Sequence, residues 1–337
     1  MTINFEVIKM SDIEIKNILV REEDYAEKMK EEVLPYINER KTELMLSRNE
    51  GEELYCLKYA PENAKAAVVI SHGFTETIAK YSELAYYFLK EGIAVYLYDH
   101  CGHGKSYRLT DDADSVHVDT YERYVNDLNF IAKAAKKDYP DLPLYLFGHS
   151  MGGGIAAASA CHEPDLFSKV VLSSPMIRPA TGSFPWFVTR IVCWLFVRIG
   201  KKFDYAPGQR PYDGKEHFEE SASTSQARYD YYNEIRKADR KCQMNAATYG
   251  WLYACVRLST YLRKKGWKKI TAPVLLFQAD NETFVINPQQ DAFIEKLKKR
   301  GVSARLIHVP ETKHEIWRAD DDTLEGYLDE IFRFYAV

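Results

Sequence analysis

Apolar residues along the chain follow two rhythms, and the switch between them divides it into regions. In EEDYAEKMKEEVLPYINE, Tyr25, Met29 and Val33 recur at intervals of four, the spacing of one helix face. Residues 1–40 are expected to form an N-terminal helical extension. ELMLSRN and ELYCLKYA then read as short strands, and the Asn49, Glu50, Gly51 turn between them suggests a hairpin. After the hairpin, fully apolar strand-like runs (AAVVISHG, IAVYLYDHCGHG, LPLYLFGHS, SKVVLSSP) alternate with helical ones. The helices are AKYSELAYYFLKEG, ending in Gly92, TYERYVNDLNFIAKAAKKDYP, stopped near Pro140, and MGGGIAAASACHE. Strands separated by helices imply crossover connections and a mainly parallel sheet covered on both faces.

The alternation fails over residues 176–268, a stretch too long for an ordinary loop. A helical cap is expected there, inserted into an α/β core made of residues 41–175 and 269–337. The sheet resumes at APVLLFQADNE, followed by a helix around PQQDAFIEKLKKRG, the strand SARLIHVP and a last helix after HEIWRADD. No internal repeat is visible. A dinucleotide-binding fold fits poorly, because the first strand-to-helix turn, ISHGFTETIAKY, has a single glycine and no G-x-G-x-x-G.

Composition changes this picture little. Of the 337 residues, 46% are hydrophobic and 28% charged, enough apolar material for a full core. The formal net charge of -4 and the lack of a basic block speak against a nucleic-acid partner. The N-terminus lacks the apolar stretch of a signal peptide. The longest apolar run, FPWFVTRIVCWLFVRIG, is broken by Arg190 and Arg198 and falls short of a membrane span. Cys56, Cys101, Cys161, Cys193, Cys242 and Cys255 have no paired spacing, which suggests thiols in a reducing, cytoplasmic setting.

The chemistry centres on YLFGHSMGGG. Gly148, His149, Ser150, Met151 and Gly152 fit G-x-S-x-G between a strand and a helix, where a sharp turn holds a serine Oγ above the sheet. Small residues after it let the helix pack closely on the strands. A serine needs a base, and the base an orienting carboxylate, expected in the order acid then histidine. His314 lies in the loop past the last strand and is the candidate base. His308, inside SARLIHVP, is expected to be a packed histidine. Asp280 and Glu282 both lie just past a strand and are both candidates for the acid. The N–H groups of Met151 and Phe74 are the candidate oxyanion donors, Gly73 lets the loop approach closely, and His72 is expected to brace that loop. Gly148, His149 and Gly152 are assigned structural roles around the serine.

The segments SHGF, YDHCGHGKS, FGHSMGG, SSPM and KHEI together resemble serine hydrolases of the α/β-hydrolase superfamily. The branch they resemble is the monoacylglycerol lipase and bacterial lysophospholipase L2 group. The likeness covers roughly residues 45–335. It implies the α/β-hydrolase fold, a mainly parallel eight-stranded sheet flanked by helices with an inserted helical cap. Relatives carry the acid four residues after a glutamine. With Gln278 as that glutamine, the resemblance implies Glu282 rather than Asp280, although most relatives use aspartate. Cys101 stands where relatives have arginine, which implies a modest change in loop anchoring. SASTSQARYDYY and NAATYGWL resemble segments of the lysophospholipase L2 cap.

The activity implied is hydrolysis of monoacyl-lipid esters without metal or organic cofactor. A short-chain or aromatic carboxylesterase or thioesterase is the alternative, and a silent binding module the remote one. The apolar run with its two arginines is expected either to line an acyl tunnel or rest on a lipid surface, or simply to pack on the core. The sequence leaves the oligomeric state open.

Overall fold

The computed structural model describes residues 14–182 and 184–335; the first 13 residues of the expected N-terminal extension lie outside them. Eight strands form one sheet: β1 (Lys41–Ser47), β2 (Glu53–Tyr59), β3 (Ala66–Ser71), β4 (Ile93–Tyr98), β5 (Leu144–His149), β6 (Lys169–Ser173), β7 (Val274–Ala279) and β8 (Ala304–Val309). Their order is β1-β2-β4-β3-β5-β6-β7-β8. The β1–β2 and β2–β4 pairs are antiparallel and the rest parallel. β3, β4, β5 and β7 are buried along their whole length, which is why their sequences are continuous apolar runs.

The helices are α1 (Ser82–Lys90), α2 (Tyr121–Asp138), α3 (Ser150–His162), α4 (Trp186–Arg198), α5 (Gln226–Ala238), α6 (Tyr249–Lys264), α7 (Asn287–Lys299) and α8 (Asp321–Tyr335). One face of the sheet packs under α2, α3 and α7, through residues such as Leu128, Ile155 and Phe293, and α6 lies on α3 and joins the same core through Leu258. The other packs under α1, α8 and the N-terminal turns, through Leu84, Phe88, Leu328 and Phe332. In those turns Tyr25, Met29 and Val33 are buried, as their spacing predicts, and so is Ile37, with a widened π-type turn over Met29–Val33.

Between β6 and β7 the chain leaves the sheet and forms the inserted helical cap, α4 to α6. Ser225 caps α5 by accepting the Arg228 N–H at 3.3 Å, and Thr248 caps α6 by accepting the Trp251 N–H at 3.1 Å. A short parallel bridge, Ser115–Val116 against Ala246–Ala247, ties the cap to the loop after β4. Two-residue strands carry no readable period, and the sequence analysis does not foresee this one. His308 differs from expectation: β8 is the edge strand, with β7 as its one strand neighbour, and the side chain is exposed rather than packed.

Candidate active site

β5 ends at His149 and α3 begins at Ser150, so the whole reversal from strand to helix falls on the serine. It takes φ = 54°, a left-handed conformation that costs a non-glycine residue energy and persists only where the surroundings impose it. The glycines beside it are demanded by space. A Cβ on Gly152 would lie 2.1 Å from the Ser71 carbonyl oxygen at the end of β3, and one on Gly148 would lie 2.7 Å from Ala156 Cβ.

Ser150 Oγ lies 2.8 Å from His314 Nε2, and His314 Nδ1 lies 2.6 Å from Glu282 Oε2. Glu282 Oε1 also accepts the N–H groups of Phe284, at 2.7 Å, and Val285, at 3.3 Å. Burial works against the Glu282 charge. The hydrogen bond and charge of His314, with those two N–H groups, nonetheless hold its carboxyl below the usual range. Asp280, the other acid open to the sequence analysis, has an exposed side chain, and it is Glu282 that reaches the imidazole. The His314 ring is buried between those of His149 and Phe284, each with its centroid 4.9 Å away.

The loop after β3 brings Phe74 beside this row. Among the described residues the N–H groups of Phe74 and Met151 meet no protein acceptor. Trp251 of α6 touches both residues: its ring centroid lies 4.2 Å from that of Phe74, and its Nε1–H points at Met151 Sδ at 3.4 Å. His72 is fully buried and bonds only backbone, with Nδ1 2.8 Å from the Gly73 carbonyl and Nε2 accepting the His100 N–H at 3.0 Å. These partners select the neutral Nδ1–H tautomer. Beyond β4, Asp99 anchors the turn that contains Cys101 by accepting the N–H groups of Ile78 and Lys105, each at 2.9 Å.

Beside the loop after β3 lies a cluster that the sequence analysis misses. Glu76 Oε2 accepts the Gly73 N–H and the Tyr81 hydroxyl, both at 2.6 Å. Its Oε1 takes Lys80 Nζ at 2.9 Å, and the same ammonium bonds Glu315, the neighbour of His314. Burial opposes the Glu76 charge, but Lys80, His149 and Tyr81 overcome it and keep the carboxyl well below the usual range. Burial pushes His149 down to about 4 despite the nearby Glu76. Glu76, His149 and Glu315 converge as metal ligands would. Here the Lys80 ammonium occupies the role of counter-ion, as both carboxylates bond it. The i, i+4 spacing of Glu76 and Lys80 is the one local signal of this cluster.

Ser150 lines two cavities. One, of about 720 Å³, is walled by Met176, Val188, Val192, Leu252, Phe284 and Val285. The other, of about 360 Å³, is walled by polar groups that include Arg210, Tyr212, Asn233 and Asn245.

A family model described as serine aminopeptidase, S33 (Hydrolase_4) matches residues 62–321. The probable lysophospholipase L2 of Haemophilus influenzae is 27% identical over 323 residues, 95% of this chain and 99% of that protein. The monoglyceride lipase of Rattus norvegicus is 36% identical over 129 residues, 38% of this chain and 41% of that one. Among solved structures, a thermostable carboxyl esterase from Bacillus coagulans superposes with a TM-score of 0.73 at 20% identity, covering 88% of this chain and 97% of that one. At that identity the likeness speaks for the fold.

Proposed function

The chain belongs to this α/β-hydrolase family and is a serine hydrolase of carboxylic esters, and from that premise we propose that it cleaves monoacyl lipids, either monoacylglycerols or lysophospholipids. In this reading Ser150 Oγ attacks the ester carbonyl as His314 Nε2 takes its proton. Glu282 keeps the proton on Nδ1 and stabilises the imidazolium. The N–H groups of Phe74 and Met151 hold the oxyanion. His314 then passes the proton to the leaving alcohol. Water, deprotonated by the same imidazole, releases the acid from the acyl-serine.

One observation carries the substrate class: an apolar cavity and a polar one both reach Ser150. An acyl chain fills the first, and a glycerol or phosphoglycerol head takes the second. The names of the relatives matched, lysophospholipase L2 and monoglyceride lipase, support the same class.

The test is a hydrolysis panel of long-chain monoacylglycerols, lysophospholipids and short or aromatic acyl esters, run with intact protein and with Ser150→Ala. Long-chain monoacyl lipids should turn over fastest, and only with the intact serine. A preference for short or aromatic esters would leave the three residues in place and remove the lipid. No turnover of any ester would leave a binding module on a hydrolase scaffold.

A further inference from the structure

The polar cavity beside Ser150 is larger than a glycerol needs. It measures about 360 Å³, room for about twelve waters at ~30 Å³ each. A glycerol, with its six heavy atoms, fills about half of that. Tyr229, Tyr232 and Asn233 of α5 line it, spaced as neighbours on one side of a helix, and Tyr212 joins them from the loop before α5. Among the described residues the hydroxyls of Tyr212 and Tyr229 and the amide oxygen of Asn233 are buried and meet no hydrogen-bond partner in the protein. Asn233 as a whole is only 8% exposed. Native folds rarely leave buried polar atoms in this state, because each gives up its bond to water. A ligand hydroxyl satisfies any of the three, since it both donates and accepts. An ionised phosphate only accepts, and has nothing to offer the amide oxygen.

The charges of the cavity point the same way. Its wall carries five lysines and arginines and five carboxylates. The buried cations are already answered. Lys80 bonds Glu76 at 2.9 Å and also Glu315, Arg318 bonds Glu315 at 2.8 Å, and Arg236 bonds Glu216. The other two, Arg210 and Lys215, are exposed, where water and salt screen them. A phosphate held among the buried groups has to draw a cation from its carboxylate and then face that carboxylate. Like charges brought together in this way oppose binding.

We propose that this cavity is the subsite for an uncharged, sugar-bearing head, and that the preferred substrate is a monoacylglycerol carrying a single hexose. The proposal rests on the monoacyl-lipid reading above and names the head group. A monoacylglycerol presents two free hydroxyls to the three unpartnered atoms. A hexose in place of one of them raises that number to five and fills the remaining space. Hydrolysis breaks the acyl ester alone. Water adds its hydroxyl to the acyl carbon, His314 gives the proton to the departing glycerol oxygen, and the glycosidic bond stays intact. The products are a fatty acid and a hexosylglycerol.

The experiment compares kcat/KM of the full chain on three lipids with the same acyl chain in the same detergent: monogalactosyl monoacylglycerol, monoacylglycerol and lysophosphatidylglycerol. The galactosyl lipid should exceed the monoacylglycerol by about tenfold, the effect of one or two added hydrogen bonds, and lysophosphatidylglycerol by about 10²-fold. Asn233→Leu, and Tyr212→Phe with Tyr229→Phe, should each bring the galactosyl lipid down to the level of the monoacylglycerol. Calorimetry of Ser150→Ala protein with the ether analogues of the galactosyl lipid and the monoacylglycerol should show the same tenfold preference in Kd, which decides the matter even where a cavity variant does not fold. Lysophosphatidylglycerol turned over as well as the galactosyl lipid overturns the proposal, and so does a galactosyl lipid no better than the monoacylglycerol. A preference that survives both sets of substitutions overturns it as well. No turnover of any of the three, with short esters still cleaved, removes the monoacyl-lipid reading and this proposal with it.

Discussion

Two helices of the same cap are held by opposite physics. α5 is bolted down by charge. The Arg228 side chain is wholly buried and donates to Glu83, at 3.0 and 3.2 Å, to Asp321 at 3.1 Å, and to the carbonyls of Val20 at 2.7 Å and Ala319 at 3.2 Å. Arg318 returns a bond to the Arg228 carbonyl. One residue thus joins the cap, α1, α8 and the N-terminal turns. α4 has no such bolt. It rests against α6 through an apolar strip, lines the apolar cavity with another, and turns most of its remaining surface outward. A buried ion network is tolerable only when every member is satisfied, so it admits one arrangement. Apolar contact along one helix side is far less particular about register. The fixed helix walls the polar compartment through Tyr229, Tyr232 and Asn233, and the loosely held one walls the apolar compartment through Val188 and Val192.

The sharpest tests start where both walls meet. Ser150→Ala should lower kcat by about 10⁶-fold while leaving both compartments able to take up a non-hydrolysable lipid ether, checked by steady-state kinetics and calorimetry. A loss under tenfold would remove the serine from the chemistry. Glu282→Gln should cost about 10⁴-fold in kcat, because the wrong imidazole tautomer then faces Ser150, whereas Asp280→Asn should stay near wild type. Equal losses at both positions would undo the choice between them.

The contrast between helices comes next. Arg228→Met should destabilise the fold by about 3–5 kcal/mol, since it leaves Glu83 buried without its cation. Trp194→Ser on α4 should change stability by under about 0.5 kcal/mol. Chemical denaturation of the two variants side by side measures the difference, and comparable losses would mean that α4 is anchored after all.

A smaller effect is expected from pH. His149 is held neutral by burial, with its pKa down at about 4, while the unfolded chain takes up the proton near 6.5. Below 6.5 the unfolded state binds more protons than the folded one. The stability present above that value is therefore lost as pH falls toward 4, by about 2 kcal/mol between pH 7 and pH 5. Glu76 and Glu282, both held low, add losses only at more acid pH. His72, His100, His103 and His117 are also held low by burial and add losses of the same sign, so unfolding curves at pH 7 and pH 5 should show a larger total loss for the intact chain than for His149→Asn.

The sequence by itself determined what repeats locally. Buried strands announce themselves as apolar runs, helices by their 3.6-residue period, and the turn at Ser150 by the small residues that its reversal needs. The same local grammar puts His314 in a loop past the last strand. Residue type and spacing are enough for such features, because the forces behind them act within a few residues. What only the tertiary structure decided are the long-range pairings. The spacing from Gln278 favours Glu282 only through the family resemblance; that its carboxylate meets His314 across 32 residues of sequence is set by the path of one loop. Lys80 reaches Glu315 across 235 residues, and Arg228 reaches Glu83 across 145. Position at the sheet edge exposes His308, and the side of α4 that faces outward depends on where α6 lies. Each of these partners is one charge among many in the chain, and nothing local distinguishes it. Folding selects it by bringing the two groups to the same low-dielectric place, where an unpaired charge is too costly to keep.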